Sequence, residues 1–86
     1  KKDAEYLYKA LQKARQMLET GEKNSDRIVS EMQKILNRVP SLKMQYISIL
    51  DAQTLQEPPQ LKGPLLVALA ARLGHARLID NIIVEL

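Results

Sequence analysis

The sequence has no cysteine, no tryptophan and no phenylalanine, and only one histidine. Without cysteine there is no disulfide and nothing that points to an oxidising compartment, so a cytoplasmic setting is expected. A zinc site would have to rest on carboxylates with at most His75, and a Ser-His or Cys-His nucleophile pair has only that one base to draw on. Glycine is scarce too. Gly21, Gly63 and Gly74 stand far apart, which excludes a Walker loop or a GxGxxG fingerprint, since each packs several glycines into one short turn. Tyrosine is the sole aromatic, present three times, so a sheet made from this chain lacks the stacking platform of an RRM-type RNA binder. The longest apolar run, "GPLLVALAA", is far short of the roughly 20 residues of a membrane span. The start, "KKDAEYLYKA", shows no signal-peptide core. Neither nucleic acid nor a membrane is therefore expected as a partner.

What is present is enough for one folded domain spanning residues 1–86. Its 86 residues are 45% hydrophobic and 27% charged, which matches an ordinary globular chain and not a disordered one. Residues 1–39 hold nine basic and six acidic side chains and residues 40–86 hold four of each, so the net charge of +3 lies wholly in the first half. There the basic residues alternate with Glu and Asp, as on a solvated helix face, which argues against a nucleic-acid stripe.

From Asp3 to about Thr20, apolar Ala4, Leu7, Leu11, Ala14 and Leu18 recur at spacings of three and four, which predicts an amphipathic helix. Asp3 and Glu5 suit the positive end of its dipole, and Gly21 can take the left-handed conformation that closes it. A second helix, about 25–39, starts at a cap supplied by Asn24 or Ser25 and carries Ile28, Met32, Ile35 and Val39 on one face. Pro40 ends it, with Lys34 and Arg38 in its last turns. The link "GEKN" is short enough to make the two helices an antiparallel hairpin.

The β-branched run "LKMQYISILD" predicts a strand at about 43–51, with Met44 and Tyr46 on one face and Ile47 and Ile49 on the other. Two consecutive prolines, Pro58 and Pro59, with Gly63 and Pro64, make the next stretch a long loop. Beyond it, "LLVALAARLG" favours helix by intrinsic propensity, whereas "ARLIDNIIVEL" is Ile- and Val-rich and Gly74-His75 suits a two-residue hairpin turn. The local pattern allows a helix pair but favours strands at about 65–73 and 76–85.

In that hairpin, residues whose numbers add to 149 face each other. One face then carries Leu65, Val67, Leu69 and Ala71 with Val84, Ile82, Asp80 and Leu78. The other carries Leu66, Ala68, Ala70 and Arg72 with Ile83, Asn81, Ile79 and Arg77. Asp80 falls among Leu and Ile, where an unpaired charge is costly, so it is expected to find a backbone N–H or an arginine. Arg72 and Arg77 sit directly opposite; either they splay into water or one reaches Asp80 or Glu85 around the strand edge. A helix hairpin covers one face of such a sheet, which leaves the arginine face free to meet something else. The methionines read as core fillers.

At "ARLGHARLIDNI" the chain resembles the C-terminal end of the pantothenate synthetase (pantoate–β-alanine ligase) family. "YISILDAQTLQE", "LKGPLLVALAARLG" and "ALQKARQMLETGEKNSDRI" resemble, in order, other segments of the same region. Where the family commonly has Thr before the arginine of "RLIDN", this chain has Ala76. The resemblance implies an α+β fold, an antiparallel helix hairpin packed on a three-stranded antiparallel sheet, and thereby resolves the strand-or-helix alternative. It also implies a lid domain of a homodimeric ATP-dependent ligase, whose Rossmann-type N-terminal domain holds the catalysis.

In that enzyme pantoate and ATP, with Mg, would form pantoyl adenylate, which the β-alanine amine then attacks. The family's His-x-Gly-His and Ser-Ser-Arg-Asn elements are not in this sequence; "NSDR" at 24–27 lacks the paired serines. No catalytic, cofactor-binding or metal-binding residue is therefore assigned here, no cofactor is expected to bind this chain, and the chain alone is expected to be inactive. Arg72, Arg77 and Asn81 become candidate interdomain contacts. The competing reading is a stand-alone basic α+β module that binds RNA or a protein partner.

Overall fold

A computed structural model describes residues 2–86, with side chains from Ala4 onward. Helix α1 covers Lys2–Glu19 and α2 covers Ser25–Leu36; strands β1, β2 and β3 cover Leu42–Asp51, Pro64–Leu73 and Ala76–Glu85. Lys1 lies outside the described residues, as do the side chains of Lys2 and Asp3 and with them the expected role of Asp3 at the helix start. The fold is two helices on a three-stranded antiparallel sheet of order β1-β2-β3, the architecture the family resemblance implies.

Helix α1 buries Leu7, Ala10, Leu11, Ala14 and Leu18, a stripe at helical spacing. Ala4, expected in that stripe, is exposed. The helix stops because Gly21 adopts φ 99°. That lets the Glu22 N–H donate to the Met17 carbonyl at 2.9 Å and the Gly21 N–H to that of Leu18 at 3.1 Å, which satisfies two carbonyls of the last turn. Asn24 caps α2: its side-chain oxygen accepts from the Asp26 N–H at 2.9 Å.

Helix α2 ends at Leu36, short of the expected Val39, and only Lys34 lies in its last turn. Pro40 explains the difference. It has no N–H for the Leu36 carbonyl and disfavours helical geometry at Val39. The chain tightens instead, with Arg38 donating to Ile35 and Val39 to Leu36, at 3.2 and 3.1 Å.

The β2–β3 register is the one in which partner numbers add to 149, from Pro64 opposite Glu85 to Leu73 opposite Ala76. Gly74 at φ 61° occupies the first turn position and His75 keeps a negative φ, the pattern of a type II′ turn. The β1–β2 register shifts between Met44 and Tyr46, where Gln45 forms a bulge. Because the bulge adds one residue, the expected sharing of a face by Met44 and Tyr46 does not hold. Met44 joins Ile47 and Ile49 toward the helices, and Tyr46, opposite Ala70, turns to the outside.

The core lies between the helices and one sheet face. Leu65, Val67, Leu69, Ala71 and Val84 are fully buried under Leu11, Ala14, Ile28, Met32 and Leu36. Helix α1 reaches β2 and β3 while α2 reaches β1. Leu61 is buried too and fastens the long loop to this core. No described helix is long and apolar enough to cross a membrane.

Candidate functional site

The second face of the sheet has no helix over it. Across the strands it is built in rows: Lys43, Arg72 and Arg77; then Tyr46, Ala70 and Ile79; then Ser48, Ala68 and Asn81; then Leu50, Leu66 and Ile83. Ile79 is 57% exposed, Ile83 51% and Tyr46 39%. Three large apolar side chains in the open on one face is the pattern of a surface that another body covers. Arg72, Arg77 and Asn81 all lie on this face and all are exposed. The structure brings Arg72 and Arg77 together as direct cross-strand partners, with Asn81 two rows away.

Neither arginine takes the carboxylate partner considered for it. Among the described residues the ion pairs are Arg15–Glu19, Arg27–Glu22 and Lys34–Glu31, which leave out Lys43, Arg72 and Arg77. Glu85 shares the face but stands eight residues along β3 from Arg77, about 27 Å at strand spacing. Asp80 points to the opposite face, in the row of Ile47 and Leu69. There it is exposed and not buried among Leu and Ile, because β3 is an edge strand, and its oxygen accepts from the Asn81 N–H at 2.8 Å. Arg77 instead donates through Nε to the Gln45 side-chain oxygen at 2.9 Å. The bulge residue of β1 thus orients an arginine two strands away.

Lys43, Gln45 and Tyr46 are not among the candidate contacts drawn from the sequence. Their place depends on the β1–β2 register, and the bulge that sets it has no signal in the alternation of β1.

The remaining chemistry-bearing residues do not assemble. His75 is exposed at the turn tip. Asp51 organises the loop after β1, its carboxylate accepting from the N–H groups of Gln53 and Thr54 at 2.7 and 3.1 Å. A concavity of 370 Å³ between the start of α2 and the free edge of β1 contains Asp26 and Glu57 as its only carboxylates, with no histidine or cation beside them. Among the described residues no three of His, Cys, Asp or Glu are placed to hold a metal ion. The open face offers cations, the wrong donors for magnesium, so no step is assigned to a metal on this chain.

Residues 1–83 match the family model for pantoate-beta-alanine ligase. This chain belongs to that family. It is 48% identical over 82 residues to the pantothenate synthetase of Thermosipho melanesiensis, covering 95% of this chain and 29% of that protein. It is 42% identical over 85 residues to that of Fervidobacterium nodosum, covering 99% of this chain and 30% of the relative. The crystal structure of pantothenate synthetase from Thermus thermophilus superposes with a TM-score of 0.83 at 28% identity, over 94% of this chain and 29% of that one. The chain thus spans less than a third of the length of these pantoate-beta-alanine ligase relatives.

Proposed function

We propose that this chain is the C-terminal lid domain of a pantoate–β-alanine ligase, with Arg72, Arg77 and Asn81 on the face that closes against the catalytic domain. The parent enzyme, a homodimer on this reading, condenses pantoate with β-alanine at the expense of ATP through a pantoyl adenylate. The observation that carries the proposal is the open face: Tyr46, Ile79 and Ile83 lie exposed on a sheet whose other face packs against the helices, in a chain covering 29% of its relatives. An acyl adenylate is susceptible to water, and a sheet that closes over it serves to keep water out until the amine attacks. The residues of this chain shield and hold; the bond-making groups belong to the rest of the ligase.

The test compares products in the full-length ligase. With the lid intact, pyrophosphate release and pantothenate formation remain equal. Ile79→Asp is expected to loosen closure, so that pyrophosphate exceeds pantothenate as the adenylate leaks to water. Arg77→Ala is expected to lower turnover by about tenfold while the melting temperature of the 86-residue chain stays nearly unchanged. Equal products and normal turnover in both variants would refute the lid role.

A further inference from the structure

The second half of the chain is neutral by composition, with four basic and four acidic side chains from residue 40 onward, yet folding separates those charges. Three of the four cations, Lys43, Arg72 and Arg77, form one row across the open sheet face. The carboxylates go elsewhere: Asp51 to the far end of β1, Glu57 to the long loop, Asp80 to the other face and Glu85 to the far end of β3. Like charges placed opposite one another in a sheet repel, so this row is a cost to the free domain unless an anion joins it.

We infer that Lys43, Arg72 and Arg77 form a binding subsite for the phosphate chain of a di- or triphosphate. The three residues leave the sheet from successive strands about 4.8 Å apart, and Arg77 reaches across β2 to the side chain of Gln45 on β1, which brings its guanidinium toward the strands that carry Arg72 and Lys43. Arg77 is held for the purpose. Its Nε–H is engaged by Gln45 at 2.9 Å, which fixes the plane of the guanidinium and leaves both terminal nitrogens to make the paired hydrogen bonds that phosphate oxygens accept. Tyr46, Ala70 and Ile79 border the row on one side with apolar surface. The binding itself does not depend on the lid role. The extension to a nucleotide held by the parent ligase does rest on it.

The test uses the 86-residue chain with inorganic pyrophosphate at about 0.15 M salt, where distant surface charges are screened, and follows the arginine Nε–H and Gln45 amide NMR signals. Saturable shifts confined to Arg72, Arg77 and Gln45 are expected, reproduced by ATP without metal but not by acetate. Arg77→Ala and Arg72→Ala are each expected to weaken binding about three- to fivefold. Gln45→Ala is expected to weaken it as well, although it changes no charge, because it frees the guanidinium. Equal shifts at Arg15, Arg27 and Arg38, or binding unchanged by Gln45→Ala, would overturn the proposal. Failure here would leave the product-ratio test of lid closure intact, so the two readings fall separately.

Discussion

Asp80 shows what a single residue's surroundings decide. By strand alternation it belongs to the apolar face, opposite Leu69, and that much is correct. Its exposure depends on how far α1 extends over the edge strand, which alternation does not reveal. Since its carboxylate is solvated and rests on one backbone N–H, Asp80→Asn should alter stability by less than about 0.5 kcal/mol, measured by urea denaturation. A loss several times larger would mean that the charge is buried after all. Glu31 is the described carboxyl with a shifted proton affinity. The hydrogen bond from Lys34 at 3.0 Å, with the attraction of the same ammonium, holds it below its ordinary value. A carboxyl that binds its proton less readily when folded adds stability above the unfolded value, and that contribution fades as the pH falls through the folded one. Melting temperatures of the wild type and Glu31→Gln should therefore differ slightly near about pH 6 and converge near about pH 3. A difference that widens in acid would contradict the pairing.

At the scale of elements, the pieces whose existence rests on long periodic patterns were legible and their joints less so. The α1 stripe, the Gly21 stop and the β2–β3 register all follow from spacing and turn chemistry. The end of α2 was misplaced because Val39 continues the apolar period, while Pro40 acts backward on the helix through a missing N–H. The bulge in β1 was invisible because Gln45 is a residue that fits an unbroken alternation as well as an interrupted one. Its geometry makes a distinct prediction. Met44 pairs with Ala71 and Tyr46 with Ala70, so removing Gln45 joins two residues that already face opposite sides. Deletion of Gln45 should keep the fold, read as well-dispersed amide NMR signals with Met44 still packed inward, while Arg77 loses its partner. Collapse of the spectrum would show that the bulge is needed for strand pairing.

At the scale of the whole molecule, the candidate surface was half legible. Opposed arginines on an uncovered face follow from the hairpin register alone, and Asn81 lies on that face as expected. Lys43 and Gln45 completed the surface only when the third strand was in place. The layered arrangement explains why the face is open: two helices can roof one side of a three-stranded sheet, and here they do so with the larger apolar set. The central claim is that the other side is roofed by the rest of the ligase. The absence of cysteine in this chain makes that claim directly measurable by thiol labelling, with Asn81→Cys on the open face and Tyr8→Cys on exposed α1 surface as the control. Each variant would be labelled in the 86-residue chain and in a full-length ligase freed of other cysteines, with ATP and pantoate present. The account predicts that Cys at position 81 reacts at least about tenfold more slowly in the full-length enzyme, while the position 8 control reacts alike in both. Equal labelling at position 81 in the two proteins would contradict it.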